Sequence, residues 1–126
     1  MTRLTPSGWW LATALGLFAC APPESSTVAM GRELYTGNGC VSCHGLNGHG
    51  DGPIGKTLSP PPRDFRNAAA FKNGTDVSAI AETILRGVGD ATQMPAFGHL
   101  SARERQSLAL YVISVRDSTP STNRIP

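Results

Sequence analysis

Two cysteines and a histidine stand together at Cys40, Cys43 and His44. Thiols three residues apart lie on one side of a helical turn, where each can form a thioether with a vinyl group of haem. The histidine that follows then lies under the iron and can bind it through an imidazole nitrogen. This Cys-x-x-Cys-His pattern is the attachment motif of a c-type haem, and it predicts one covalently bound haem with its iron.

A thioredoxin-like dithiol and half of a zinc site are the other uses of such a cysteine pair. A redox dithiol should follow a strand and open a helix, but this pair follows Gly37-Asn38-Gly39 and precedes a glycine-rich loop. Structural zinc needs four ligands. His49 and His99 are 50 residues apart and show no zinc-finger spacing. The sequence therefore disfavours both alternatives.

Composition indicates one small, loop-rich domain. The 126 residues include 14 glycines and 10 prolines, and only 6% are aromatic. A chain of this size builds a thin core on its own, so a buried haem would supply much of the apolar mass. The net charge of +2 is too small to indicate a nucleic-acid partner or an anionic membrane surface.

The N-terminus predicts export. Residues 1–19 are interpreted as a signal peptide, with a basic Arg3 and an apolar run over residues 9–19. As a helix this run would span roughly 16 Å, about half of a bilayer's hydrocarbon core of roughly 30 Å. A membrane-spanning helix and an N-terminal core helix are therefore weaker interpretations.

Cys20 follows Leu17-Phe18-Ala19, which resembles the lipobox of bacterial lipoproteins. The resemblance predicts lipid attachment at Cys20, a flexible tether over residues 20–28, and a location on the periplasmic side of a bacterial membrane. Cleavage by the ordinary signal peptidase is the alternative, and it would leave a soluble periplasmic protein.

Periodic apolar residues predict three helices, over residues 29–38, 76–86 and 101–117. Gly87 should end the second, and a capping box at Ser101 and Glu104 should open the third. Gly31 and Tyr35 share a face of the first helix, where the glycine would permit a close helix crossing or be incidental. Residues 118–126 are expected to fray.

The glycine-rich loop over residues 45–55 contains a match to a phosphate-binding motif, from Gly50 to Thr57. That motif needs a strand before it and a helix after it. Three consecutive prolines, Pro60 to Pro62, oppose the helix. The match is interpreted as chance.

Gly31 to Tyr35 followed by Cys40 to Gly45 resembles the start of a class I cytochrome c domain. The resemblance covers residues 29–117 and implies an all-α fold of three to five helices wrapped around one haem. It also implies that Tyr111 of the last helix meets Gly31 and Tyr35.

The resemblance implies a sixth iron ligand as well. Met94, next to Pro95, resembles the loop that carries the axial methionine in this family, with His99 and then His49 as rivals. A carbonyl of Pro60, Pro61 or Pro62 would accept the proton of the ring nitrogen Nδ1 of His44.

Arg63 and Arg66 could meet the haem propionates or remain solvated surface charges. Trp9 and Trp10 fall in the predicted signal peptide, so no tryptophan is left to contact a propionate.

The functional expectation is a one-electron carrier between membrane-associated respiratory proteins, with no enzymatic activity and no small-molecule substrate. One alternative is a haem subunit of a larger oxidase or quinol-oxidising complex. Another is a haem enzyme or gas sensor with a labile sixth ligand.

Overall fold

The computed structural model describes residues 24–89 and 93–118, and helices are the regular structure in both ranges. The α-helices are α1 (Ser26–Gly37), α2 (Val41–His44), α3 (Val77–Arg86) and α4 (Ala102–Asp117), joined by 3-10 turns at Gly55–Thr57 and Ala68–Ala70. The described ranges contain no strand, only an isolated antiparallel bridge between Val88 and Met94. The predicted all-α fold is confirmed.

Helix α1 begins at Ser26, three residues before the predicted start. The backbone of Ser25 is extended, and its hydroxyl accepts a hydrogen bond from the amide of Val28 at 3.3 Å. This cap satisfies an amide that would otherwise be unpaired at the helix start. Residues 26–28, assigned to the tether from sequence, are therefore helical.

Helices α3 and α4 begin and end close to the predicted positions. The Asp76 side chain caps α3, and Gly87 ends it with a φ of +74°. Ser101 and Glu104 form the predicted capping box at the start of α4, each side chain accepting from the other's backbone amide. These caps fix both ends of the segment that carries Met94.

Helices α1 and α4 cross at Gly31. A Cβ atom at this position would lie 2.1 Å from the carbonyl oxygen of Ser107 and 2.8 Å from the Cβ of Tyr111. The Tyr35 and Tyr111 rings pack beside the crossing with centroids 5.2 Å apart. The predicted helix crossing is therefore confirmed, and the glycine is required for it.

The core of the described residues is small. Its buried apolar members are Tyr35, Phe65, Ile80, Ile84, Leu100, Leu108, Ala109 and Val112. Helix α4 packs against both α1 and α3, so the core lies between these three helices. None of the described helices combines the length and the apolarity needed to cross a bilayer. The predicted signal peptide, Cys20 and residues 119–126 lie outside the described ranges.

Candidate haem site

The predicted attachment motif forms helix α2 and the residue before it. The amide of His44 donates to the carbonyl of Cys40 at 2.8 Å, which closes one helical turn. Cys40 and Cys43 are both free and partly exposed. The amide of Cys40 also donates to the carbonyl of Tyr35 at 3.1 Å, so the motif is joined directly to the end of α1.

The glycine-rich loop closes the C-terminal end of α2. Amides of Ile54, Gly52 and Gly50 donate to the carbonyls of Ser42, Cys43 and His44 at 2.9, 3.2 and 2.9 Å. Carbonyls at the end of a helix have no partner within it, and here the loop supplies one.

Two glycines of this loop are needed for their lack of a side chain. A Cβ atom at Gly52 would lie 2.4 Å from the carbonyl oxygen of Ser42, and one at Gly55 would lie 2.1 Å from that of Cys43. The phosphate-motif match ends in a 3-10 turn at Gly55–Thr57 and not in the start of an α-helix. This turn supports the interpretation of the match as chance.

His44 is held in a buried, apolar environment. Its ring centroid lies 4.8 Å from that of Phe65, with 31° between the planes. Burial lowers the pKa of His44 to about 4, the charge of Arg63 acts in the same direction, and the Arg63 backbone opposes them in part. The imidazole is therefore neutral at physiological pH, which is the form that binds iron.

The expected proline partner of His44 is not observed. The buried Nδ1 atom has no hydrogen-bond partner among the described residues. Pro60, Pro61 and Pro62 instead line the adjoining cleft. A proline carbonyl at Nδ1 stays a prediction.

The cysteine pair lacks the properties of a redox dithiol and of a zinc site. Burial raises the pKa of the Cys40 thiol to about 11. A nucleophilic dithiol needs the opposite shift, because the thiolate is the reactive form. No cluster of three or more histidine, cysteine or acidic side chains capable of holding a metal ion occurs in residues 24–89 and 93–118.

A cleft of about 560 Å³ lies beside α2. This volume falls within the roughly 300–1,000 Å³ typical of cofactor pockets. A second, apolar cavity adjoins it, and the walls of both include Cys40, His44, Arg63, Met94 and Phe97. The cleft thus brings together the attachment motif and the predicted methionine ligand, which are far apart in sequence.

The Met94 backbone is held by the end of α3. Met94 and Val88 exchange two hydrogen bonds, of 2.9 and 3.3 Å, and the Phe97 amide donates to the Ile84 carbonyl at 3.0 Å. A Cβ atom at Gly87 would lie 2.5 Å from the Met94 carbonyl oxygen, so the two backbones touch. The segment is therefore positioned by backbone contacts to α3.

The two rival histidines lie outside the walls of both cavities. The Nε2 atom of His99 is 3.3 Å from the side-chain oxygen of Asn38, and the ring is exposed. The Nδ1 atom of His49 lies 3.2 Å from Asp64 and 3.1 Å from Arg66. Both imidazoles are thus engaged elsewhere on the surface.

The structure separates the two candidate arginines. Arg63 lines both cavities, and its guanidinium carbon lies 5.7 Å from the centre of the Phe71 ring. Arg66 instead lies 3.6 Å from the Asp64 carboxylate and is absent from the cavity walls. Of the two, Arg63 is the cation at the cleft.

Sequence reasoning missed the aromatic lining. Phe65, Phe71 and Phe97 all contribute to the apolar cavity, beside Tyr35. The sequence has only four phenylalanines, and these are the three beyond the predicted signal peptide. Because phenylalanine is this scarce, the three residues could have been predicted to line the site of an apolar cofactor.

These residues fit a c-type haem. Two thiols one helical turn apart, a neutral imidazole and a thioether all line connected cavities with apolar walls. Imidazole and thioether are ligands that iron accepts in haem proteins.

Residues 26–112 match a protein family described as cytochrome c oxidase, cbb3-type, subunit III. The chain belongs to this family of class I cytochromes c. A covalently bound c-type haem with its iron follows from this membership, so the predicted cofactor is confirmed. One haem is what a cytochrome c domain of this size accommodates.

Two curated relatives differ greatly in length. This cytochrome c is 33% identical over 98 residues to the cbb3-type cytochrome c oxidase subunit FixP of Azorhizobium caulinodans, across 76% of this chain and 30% of FixP. It is 28% identical over 89 residues to cytochrome c-554(547) of Halothiobacillus neapolitanus, across 70% of this chain and 96% of that protein.

A solved structure shares the fold. The reducing HAO-like protein complex Kustc0457/Kustc0458 of Kuenenia stuttgartiensis contains a chain with a TM-score of 0.64 and 30% identity. The match covers 75% of this chain and 46% of that chain. The cytochrome c fold therefore occurs both alone and as part of longer chains.

Proposed function

We propose that this cytochrome c is a one-electron carrier. Its haem is attached through Cys40 and Cys43, and its iron is bound by His44 and Met94. The observation that carries the proposal is the shared cleft, whose walls include all four residues. The family supports haem-based electron transfer, and the assignment of the ligands rests on the cleft.

Each ligand residue has a defined task in this proposal. The bound haem supplies a one-electron iron couple. His44 and Met94 would both hold the iron, which would leave no ligand position for a substrate. The soft thioether of Met94 and the apolar cavity favour the ferrous state and raise the reduction potential. Burial keeps His44 neutral and hence able to bind metal.

A subunit role in a larger oxidoreductase is the second candidate. The matched family is described as an oxidase subunit, and the chain spans 30% of FixP. In that case the same haem would pass electrons to another redox centre of the complex. Affinity purification from native membranes would distinguish the two roles, because a free carrier would be recovered without stoichiometric partners.

A redox titration of the purified holoprotein tests the carrier function. We expect one reversible transition with a one-electron slope and no change of the ferrous spectrum under carbon monoxide at neutral pH. Rapid binding of carbon monoxide would instead favour a haem enzyme or gas sensor, because those require a labile sixth position.

We also propose that the protein is exported and anchored through Cys20 on the periplasmic side of a bacterial membrane. The support is the apolar run before Cys20 and the Pro- and Ser-containing segment after it. Two or three acyl chains on one cysteine would anchor stably, since single chains bind only marginally. Intact-mass analysis should show acyl groups in addition to peptide and haem. A mass of peptide plus haem alone would leave a soluble periplasmic protein.

A further inference from the structure

The Tyr35 hydroxyl makes a buried contact immediately after the proposed iron ligand. It donates a hydrogen bond of 2.6 Å to the carbonyl of Gly45, the residue that follows His44. Tyr35 is only 3% exposed. Burial, with smaller contributions from neighbouring acidic groups, raises the pKa of its phenol. The hydroxyl therefore remains protonated and keeps its role as a donor.

The Tyr35 ring also contacts His44 indirectly, through the ring of Phe65. Its centroid lies 6.3 Å from that of Phe65 in an edge-on arrangement. Phe65 in turn packs against the imidazole of His44 at 4.8 Å. One side chain of α1 thus contacts both the backbone after the ligand and the ring that packs on the ligand.

The Gly45 backbone is held tightly on its other side as well. Its amide donates to the carbonyl of Val41 at 2.9 Å, and its φ is +77°. A Cβ atom here would lie 2.0 Å from a carboxylate oxygen of Asp51. The turn has little freedom to rearrange, so losing the Tyr35 hydrogen bond would leave this buried carbonyl with the longer bond from the Gly48 amide, at 3.4 Å.

We propose that the Tyr35 hydroxyl is a positioning group for the iron ligand. It fixes the orientation of the His44 imidazole against the haem and helps to set the reduction potential. The inference rests on the proposed function, in which His44 binds the iron. The positive end of the O–H dipole faces the ligand turn, and it disfavours the additional positive charge of the ferric state.

Tyr35→Phe and Tyr111→Phe form a matched pair for the test. Each removes one hydroxyl from one of two rings in mutual contact, but only Tyr35 donates to the ligand turn. In the Tyr35→Phe holoprotein, we expect the redox equilibrium to shift towards the ferric state by about two- to tenfold, the range that one neutral hydrogen bond covers. The paramagnetic shifts of the haem methyl groups, which report the imidazole orientation, should change with it.

The control should behave differently. Tyr111→Phe should keep the wild-type potential and methyl shifts, whatever its effect on thermal stability. If Tyr35→Phe lowers only the melting temperature and leaves the potential and the methyl shifts unchanged, the hydroxyl is merely structural and the proposal is wrong.

A second measurement decides the matter even if Tyr35→Phe yields no holoprotein. The chain has two tyrosines, so Tyr35 is the only one in the Tyr111→Phe background. Incorporating 3-fluorotyrosine there makes the phenol a stronger donor, and the potential should rise. An unchanged potential would overturn the proposal.

The outcomes also separate this inference from the proposed function. If His44 were not the ligand, the wild-type spectrum would lack the signature of histidine–methionine ligation before any tyrosine was altered.

Discussion

The two sides of the cleft are built differently. On the His44 side, three amides of the glycine-rich loop donate to successive carbonyls of α2, and two of its glycines touch that backbone. On the Met94 side, two hydrogen bonds with Val88, one from Phe97 to Ile84 and contact with Gly87 position the backbone. One proposed ligand thus lies in the turn that carries the attachment thiols, and the other lies in a segment attached to the end of α3.

The two sides therefore control different properties of the holoprotein. Disturbing the His44 side should cost folding and haem attachment, because the attachment thiols and the ligand share one turn. Disturbing the Met94 side should change the sixth coordination position and leave the covalently attached haem in place.

Gly55→Ala should have the largest effect. Its Cβ atom would lie 2.1 Å from the Cys43 carbonyl oxygen and 2.9 Å from that of Gly50, and both are backbone atoms that cannot swing aside. We expect a loss of at least about 3 kcal/mol in the free energy of unfolding, at the upper end of overpacking. Denaturant unfolding of the holoprotein measures it.

Gly37→Ala is the control for that substitution, because its Cβ atom would meet nothing within 4 Å. It should be neutral or stabilise by up to about 1 kcal/mol, the difference in helix propensity. Equal losses in the two variants would show that the loop does not hold α2 as tightly as its contacts indicate.

Gly87→Ala should loosen the Met94 side. Its φ of +74° is unfavourable for alanine, and its Cβ atom would lie 2.5 Å from the Met94 carbonyl oxygen. Each 1.4 kcal/mol of strain raises the population of the opened segment by about tenfold. We therefore expect cyanide to bind the ferric protein at least about tenfold more tightly. Gly98→Ala, which would meet nothing within 4 Å, should bind cyanide as the wild type does.

Asp64→Asn should have a small, pH-dependent effect on the His44 side. Burial acts to raise the pKa of Asp64, but hydrogen bonds and charges from Arg66 and His49 hold it below its ordinary value. The carboxylate's stabilisation is therefore present above the ordinary value of about 3.9 and is lost as pH falls through the lower folded value.

The stability difference between wild type and Asp64→Asn should thus be below about 1 kcal/mol at neutral pH, since the group is exposed and screened. Thermal unfolding as a function of pH should show the difference vanishing at low pH. A difference that persists below the folded pKa of Asp64 would contradict the assignment.

Much of the fold was predictable because its signals are local. The caps at Ser101 and Gly87 and the apolar stripe of α3 depend on neighbouring residues, and each was predicted from sequence. The start of α1 was not predicted correctly, because Ser25 lies in a polar segment that is also typical of a tether.

The attachment motif was predictable because the three-residue spacing of its thiols corresponds to about one helical turn. The surroundings of His44 could not be predicted from sequence, because they depend on how a long loop folds back. Three consecutive prolines offer equivalent carbonyls, and the sequence alone does not distinguish them. The choice between Arg63 and Arg66 likewise depended on tertiary contacts, namely the pairing of Arg66 with Asp64.

The absorption spectrum of the oxidised holoprotein near the red edge of the visible range tests the central claim most directly. Methionine bound to ferric haem iron gives a weak charge-transfer band there. We expect this band in the wild type and in His99→Ala, and its loss in Met94→Ala, with the haem still covalently attached and the reduction potential lowered. A Met94→Ala protein with an unaltered low-spin spectrum and potential would contradict the account and make His99 the first candidate for the sixth ligand.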